Sequence, residues 1–554
     1  MGKRISGILP LSLALFLFFT LSLYQLHLPG LHYDEAQEVL PAMRLLLGQP
    51  TEPFRGAAIQ IAGRAFPLMI YDYLGTLNTY LVIPFFALLG IDVISLRLMA
   101  LILGALTIVL AYGVAQEMFD EKVATLSALL LSVHPSFIFW SRLGVYLTSV
   151  ISALSMGSLL AFLLWYRQKK ARYLYLGSLL LGLGLFAKFS FLWFLVGLLL
   201  AGLLITVWKR ALPTSYGELS ASHGELSMNH MNHRFLTPAQ GTLSLLFLAL
   251  GSLPLILFNL QTGGTVEIIQ KYLFTSYLGV NNLAFGANFL TRLHQFIVLL
   301  QGGQFWYLGE VWANSLYPPL FLLALLSIIP LLFKERERVL KIAFLGTILV
   351  TMLPLSAFTP TGLKYAHLVI FLPLPQILLA ASLGLWMRQE PRRLFLSAVL
   401  LVATVLFFFD LRADIGYHRA LARTGGFDGY TEAIYELAPY LEEKGAPTVA
   451  MDWGIRNNVL FLTQGRVDPQ EVFGFESLEE PDVGFRERLL PHLADGRTIY
   501  IFHSPEETIF QRWDSFEALV AEGGKGIRVE KVFTDRSGKK IFVLIKVMEE
   551  KNGE

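Results

Sequence analysis

No cysteine occurs among the 554 residues. That excludes disulfides, thiolate catalysis and Cys-ligated zinc or iron–sulfur sites. Charge is scarce as well. Asp, Glu, Lys and Arg make up 16% of the chain, against about a quarter in soluble proteins. The net charge is only +2, so no global field argues for a nucleic-acid partner. No internal repeat is visible, which weakens a reading as an inverted-repeat transporter.

What is abundant is apolar. Hydrophobic residues make up 54% of the chain and mean hydropathy is +0.55. Many runs reach the roughly 20 residues needed to cross a bilayer core. The sequence therefore reads as a polytopic α-helical membrane protein. Spans are expected near 5–26, 94–117, 122–140, 145–166, 173–187, 189–208, 241–260, 316–333, 338–357, 363–387 and 392–410, about eleven in all. The first reads as an uncleaved signal anchor, because no small-residue cleavage site follows it. Basic clusters at Lys3-Arg4, Arg167–Arg172, Lys209-Arg210, Lys334–Arg338 and Arg388–Arg393 should all face the cytoplasm. Their parity holds if Pro67 to Gly90 is an interfacial or re-entrant helix rather than a span. This places the N-terminus in the cytoplasm of a multi-pass plasma-membrane protein.

Two divisions follow. Residues 1–410 form the membrane domain, with a first external loop at 27–92 and a flexible, polar cytoplasmic loop at 211–240. Residues 411–554 carry more charge and shorter apolar runs. A helical pattern at Tyr430–Lys444 and strand patterns at Pro447–Asp452, Thr498–His503, Arg528–Thr534 and Lys540–Val547 suggest a soluble α/β domain. An odd number of spans puts it outside the membrane, on the same side as the first loop.

Asp34 and Glu35 stand side by side just after the first apolar segment. Adjacent carboxylates are costly to bury and poor membrane anchors. They suit proton chemistry at the membrane surface, and equally the N-terminus of an amphipathic helix at about Asp34–Leu47. Like charges this close raise the pKa of one of the two, although neighbouring helix residues point about 100° apart. Lys188 stands out among the basic residues. It lies between two tightly joined spans on the side where positive charge is disfavoured. Other basic residues at span ends also read as interfacial anchors. Arg97 suggests an ion pair with Asp92 or Asp34. The cluster His223, His230 and His233 reads as a solvated loop, and Gly263-Gly264 and Gly302-Gly303 as turns. At the end of a predicted strand, Asp452 and Trp453 suit a sugar contact, or equally core and turn roles.

The order of several pieces resembles the GT-C superfamily of polyprenyl-phosphate-sugar-dependent glycosyltransferases, near the protein O-mannosyltransferases and the aminoarabinose transferases that modify lipid A. The pieces are Asp34-Glu35, then Leu47-Gly48, then Pro67, Tyr73 and Gly75, then Leu89-Gly90 leading to Arg97, then Ser141-Arg142, with Lys364-Tyr365 before a Pro-containing span. The resemblance implies a GT-C-like fold with juxtamembrane helices in the first external loop. It implies transfer of a single sugar from a polyprenyl-phosphate-linked donor to an acceptor hydroxyl on a glycan, lipid or protein at the outer face. By resemblance, Asp34 is the general base of an inverting displacement, and Glu35 orients the acceptor or tunes Asp34. Arg142 and Lys364, backed by Tyr365, Lys188 and Arg64, hold the donor phosphate, and Asp452 and Trp453 touch the acceptor. Several relatives carry a further carboxylate in the second external loop that helps hold a divalent metal. Here that loop has none, which puts metal-dependent chemistry in doubt; no cofactor is expected, with a divalent metal as the alternative. The Trp-Trp-Asp signature of oligosaccharyltransferases is absent. A lipid-linked sugar flippase and a catalytically inactive glycan-binding scaffold remain the alternatives.

Overall fold

The computed structural model describes residues 2–211, 236–274, 276–277, 280–359, 365–389 and 392–549. The His223, His230 and His233 cluster and Lys364 lie outside them. The first helix, α1 (Gly2–Leu23), leads into a large loop. In it lie α2 (Tyr33–Leu47), two small antiparallel pairs, β1 (Ala58–Ile61) with β2 (Arg64–Pro67) and β3 (Met69–Tyr71) with β4 (Leu74–Gly75), and α3 (Leu77–Leu89). The membrane part continues with α4 (Val93–Met118), α5 (Glu121–Ser132), α6 (Pro135–Ser141), α7 (Thr148–Gln168), α8 (Ala171–Ala187) and α9 (Leu192–Ala211). Next come α10 (Pro238–Gly251), α11 (Leu253–Thr262), α12 (Gly264–Phe274), the pair β5 (Ser276–Tyr277) and β6 (Val280–Asn281), α13 (Phe285–Gln301), α14 (Tyr317–Ser327), α15 (Arg336–Ser356), α16 (Pro373–Trp386) and α17 (Arg392–Thr424).

Among the described residues, five helices are long and apolar enough to cross a membrane, and three bent pairs bring the number to eight if each is one span. The bent pairs, α5 with α6, α10 with α11, and Tyr365–Phe371 with α16, turn by 64°, 64° and 42°. Proline accounts for the breaks. Pro135, Pro254 and Pro373 each sit at the start of the second piece, where the missing N–H costs least. One large apolar core runs through the bundle, with α16 buried along nearly its whole length.

Three expectations change. The stretch from Pro67 to Gly90 is not one helix: β3 and β4 occupy its first part, and α3 begins only at Leu77. The long external loop near 261–315 contains α12 and α13. The last apolar run does not end at 410. Helix α17 continues to Thr424 and buries Asp410, Asp414, Tyr417 and His418 on its inner side, where Trp312 packs against Gly416.

Beyond α17, a five-stranded sheet forms in the order β10 (Lys525–Thr534), β11 (Lys540–Glu549), β9 (Ile499–His503), β7 (Thr448–Ala450) and β8 (Gln470–Glu471). Its β9–β7–β8 part is parallel and its β10–β11–β9 part antiparallel. Helices α18 (Ile434–Lys444), α19 (Arg456–Leu462), α20 (Phe485–Leu493) and α21 (Trp513–Glu522) accompany it. This α/β unit rests on the first loop. Leu460 and Phe461 of α19 share a core with Leu40, Val82 and Phe86 of α2 and α3. Gly30 donates its N–H to the Tyr430 carbonyl at 2.7 Å, and a Cβ at Gly30 would lie 1.8 Å from the Thr431 carbonyl oxygen. Glycine permits that close approach.

Candidate active site

Helix α2 begins with a capping box. The His32 ring accepts the Asp34 N–H at 3.2 Å, and the Glu35 carboxylate accepts the His32 N–H at 3.4 Å. The two adjacent carboxylates then part company. Glu35 is fully buried in a two-point ion pair with Arg97, at 2.9 and 3.0 Å, and also accepts the Gly144 N–H at 3.1 Å. Arg97 therefore pairs with Glu35, not with Asp92 or Asp34. It also donates to the carbonyls of Leu26, Pro29 and Gly30.

Arg142 has a matching task one span away. Its guanidinium donates to the carbonyls of Tyr24, Gln25 and Leu28, contacts the His418 ring at 3.3 Å and lies over Phe139. Two buried arginines thus tie down six carbonyls of the segment following α1. Arg142 was expected at a phosphate; its Nη2 is spent on backbone carbonyls and its Nη1 meets His418. Arg64 is likewise elsewhere. It is exposed and donates to the Leu45 carbonyl at the end of α2.

Asp34 faces the other way. Oδ1 accepts the Tyr71 hydroxyl at 3.0 Å, and Oδ2 accepts the Tyr146 hydroxyl. Burial and the nearby Asp34 charge push both phenols up from their ordinary range, so both remain proton donors at neutral pH. Tyr146 is the crossing point of the site. Its hydroxyl meets Asp34, its N–H is donated to Glu38, and its carbonyl accepts Lys188 Nζ at 3.2 Å. The Lys188 ammonium also lies 5.3 Å from the centre of the Tyr146 ring, within cation–π range.

Glu38 is one helical turn beyond Asp34, so the two share a face. It is fully buried, accepts Asn78 Nδ2 at 2.5 Å, and its carboxyl is raised by burial to about 8 against the opposing Tyr146 and Asn78 hydrogen bonds. Lys188 is 1% exposed. Burial lowers its amine to about 7, while Glu38 and Asp34 pull it up and Arg292 pushes it down. The turn that carries Lys188 is strapped to the first loop. Leu74 bridges Lys188, and the Phe189 N–H is donated to the Tyr73 carbonyl at 2.9 Å. Gly75 makes this possible, since a Cβ there would lie 2.2 Å from the Phe186 carbonyl oxygen.

Two cavities flank this assembly. One, about 230 Å³, is walled mainly by Phe189, Trp193, Val196, Leu355 and Phe358, with Lys188 and Arg292 as its cations. Arg292 is buried on α13 and is held by the Ser356 carbonyl, the Gln295 side chain and the Thr359 hydroxyl. Burial lowers its guanidinium to about 10. Thr359 and His367 also line this cavity; Tyr365 is half-buried at the start of the helical turn Tyr365–Phe371. The second cavity, about 330 Å³, lies between α2, the first loop and the α/β unit, and Tyr71 lines it. Trp453 is in its wall. Asp452 is not: it is buried, accepting the N–H groups of Trp453, Ile509 and Phe510 and pairing with His503 at 2.9 Å.

Among the described residues, no three His, Asp or Glu side chains converge as a metal-ligand set. Sequence reading missed Tyr71, Tyr146, Glu38, Arg292 and His367. For Glu38 a signal was present, since the spacing Asp34–Glu38 puts both carboxylates on one helical face. Gly263 and Gly302 are left-handed helix ends, as their reading as turns expects.

Residues 76–226 match the family model for dolichyl-phosphate-mannose-protein mannosyltransferase. Among solved structures, ArnT from Cupriavidus metallidurans bound to undecaprenyl phosphate superposes with a TM-score of 0.58 at 13% identity, covering 97% of each chain. The archaeal oligosaccharyltransferase AglB from Archaeoglobus fulgidus, in complex with an inhibitory peptide and a dolichol-phosphate, gives 0.55 at 14% identity, covering 94% of this chain and 71% of AglB. The chain has the GT-C fold. No curated protein matches it in sequence. The resemblance drawn from Asp34-Glu35, Tyr73, Gly75 and Arg97 is thus shown at the level of fold, with membrane glycosyltransferases as the neighbours.

Proposed function

We propose that the protein is a membrane glycosyltransferase that moves one sugar from a polyprenyl-phosphate donor to an acceptor hydroxyl. The observation that carries this reading is the continuous link Asp34–Tyr146–Lys188. It connects a carboxylate to a cavity that is apolar on its walls and cationic at Lys188 and Arg292. Such a cavity suits an anion carried on a hydrocarbon chain. ArnT and AglB, which share the fold, were captured with undecaprenyl phosphate and dolichol-phosphate.

In this reading the acceptor hydroxyl enters from the Tyr71 side and exchanges with the Tyr71 hydroxyl at Asp34 Oδ1. Asp34 takes its proton as the acceptor oxygen bonds to the anomeric carbon. The bond from that carbon to the phosphate oxygen breaks, and its electron pair leaves with the phosphate. Lys188 and Arg292 meet the charge that develops there, with Lys364 and Tyr365 as further candidates. A single displacement inverts the anomeric centre. Glu35 serves as the anchor of Arg97, and Glu38 as the support of Tyr146. With the basic clusters inside, the site and the α/β unit face outward. Trp453 is kept as an acceptor contact.

The test is mass spectrometry of lipid extracted from protein purified out of native membranes. A polyprenyl monophosphate or its monoglycosyl form, depleted by Lys188→Met, is expected. Bulk phospholipid alone in both preparations would return weight to a transporter or scaffold.

A further inference from the structure

The second cavity has a lining that points to its occupant. Its aromatic lining includes Tyr33 of α2 and Trp453 of the α/β unit, with ring centres 4.8 Å apart and planes inclined at 41°, together with Phe54, Tyr71 and Phe475. Around them are planar polar groups held in place by their neighbours. The Tyr33 hydroxyl is bonded to Glu471 at 2.8 Å, Asn457 to Gln37 at 3.1 Å, and Arg456 to Asp468 at 2.7 and 3.1 Å. Its charged lining consists of Arg44 and Arg456 against Glu52 and Glu471, two of each sign. The groove therefore offers no net charge to attract a phosphate or an acidic peptide. Gln37 and Tyr71 also line it, and the Tyr71 hydroxyl reaches both Gln37 Oε1 and Asp34 Oδ1, at 2.5 and 3.0 Å.

We propose that this groove is the acceptor site and that it takes a neutral saccharide, one ring lying against Trp453 and Tyr33 and one hydroxyl directed past Tyr71 to Asp34. The proposal rests on the glycosyltransferase reading and narrows its acceptor. A sugar ring presents C–H faces that pack on aromatic rings and hydroxyls that donate and accept at once. Amide, guanidinium and carboxylate groups at fixed positions are the partners such hydroxyls need. A lipid acceptor would want an unbroken apolar wall at membrane depth, whereas this wall carries Gln37, Arg44, Glu52, Arg456, Asn457 and Glu471 and is completed by the α/β unit. A serine- or threonine-bearing peptide is the main competitor, because β8 with Glu471 is an edge strand that an extended chain can pair with.

The experiment is ligand-observed NMR on the purified full-length protein. Probes are neutral mono- to trisaccharides of glucose, galactose, mannose and N-acetylglucosamine, a neutral Ser/Thr peptide, and undecaprenyl phosphate. Wild type should bind one or more of the saccharides. Trp453→Ala should weaken that binding about tenfold, the scale of a lost ring contact, and leave undecaprenyl phosphate binding unchanged. That unchanged binding also reports an intact fold; if Trp453→Ala fails to fold, Asn457→Ala carries the same test. The proposal is overturned if no saccharide binds, if the variants bind saccharide as wild type does, or if only the peptide binds. In those cases binding of undecaprenyl phosphate keeps the glycosyltransferase reading, and its absence from wild type removes that reading instead.

Discussion

At the scale of single residues, the Asp34-Glu35 pair shows what a one-dimensional reading can and cannot see. Two carboxylates at a membrane boundary are visible in the sequence as an anomaly. Their division of labour is not, because it depends on the 100° that separates neighbours on a helix and on which side Arg97 approaches. Glu35 is spent on a buried ion pair. Removing one member of such a pair leaves the other charge buried without compensation. Glu35→Gln should therefore lower stability by about 3 kcal/mol, read as a clear drop in the unfolding midpoint of the detergent-solubilised protein. A stability equal to wild type would mean that the Leu26–Gly30 segment is held by other means. Lys188 was legible because lysine is rare on that side of a membrane; Arg292 was not, because its helix was read as loop. The lowered Lys188 amine, at about 7, has a pH consequence. A phosphate binds best to the charged amine, so donor affinity should fall as pH rises through and above about 7. Lys188→Arg should flatten that slope, because a guanidinium stays protonated. An affinity independent of pH between 6 and 9 would separate Lys188 from the phosphate.

At the scale of elements, the apolar segments were legible wherever hydrophobic length decided the outcome. Each of the eleven stretches read as a span coincides with a helix or a bent pair. The first loop was not, since strands of two to four residues leave too little alternation to recognise. The central feature of the turn between α6 and α7 is also invisible in sequence. Tyr146 and Leu147 adopt left-handed backbone angles, with φ of 56° and 51°, a conformation costly for side chains of this size. Glu38, Lys188 and Asp34 hold Tyr146 there through three separate groups. Tyr146→Phe deletes only the hydroxyl contact to Asp34 and keeps the backbone contacts. Turnover should fall about 10- to 100-fold, the worth of a hydrogen bond to a charged group, with donor binding retained. Loss of donor binding together with turnover would place Tyr146 in the structural frame rather than beside the reacting groups.

At the scale of the whole molecule, the division into a helical membrane part and a C-terminal α/β unit was readable from composition. The boundary was not, because α17 keeps its helix for about four turns past the apolar run, burying Asp410, Asp414 and His418 against the bundle. What the chain order also hides is that the α/β unit packs against the first loop beside Asp34. Gly30, Leu31 and Tyr33 of the first loop meet Tyr430, Asn458 and Glu471 of that unit, and both parts line the groove beside Tyr71. Donor phosphate on one side, acceptor on the other and Asp34 between them is the arrangement on which the account depends. It is tested most directly by purifying Asp34→Asn from native membranes and measuring, by mass spectrometry, the monoglycosylated polyprenyl phosphate bound per protein alongside sugar transfer. The account predicts transfer reduced at least about 1,000-fold, within the scale of general-base loss, with the bound glycosylated lipid equal to or above wild type. Near-wild-type transfer by Asp34→Asn would contradict it.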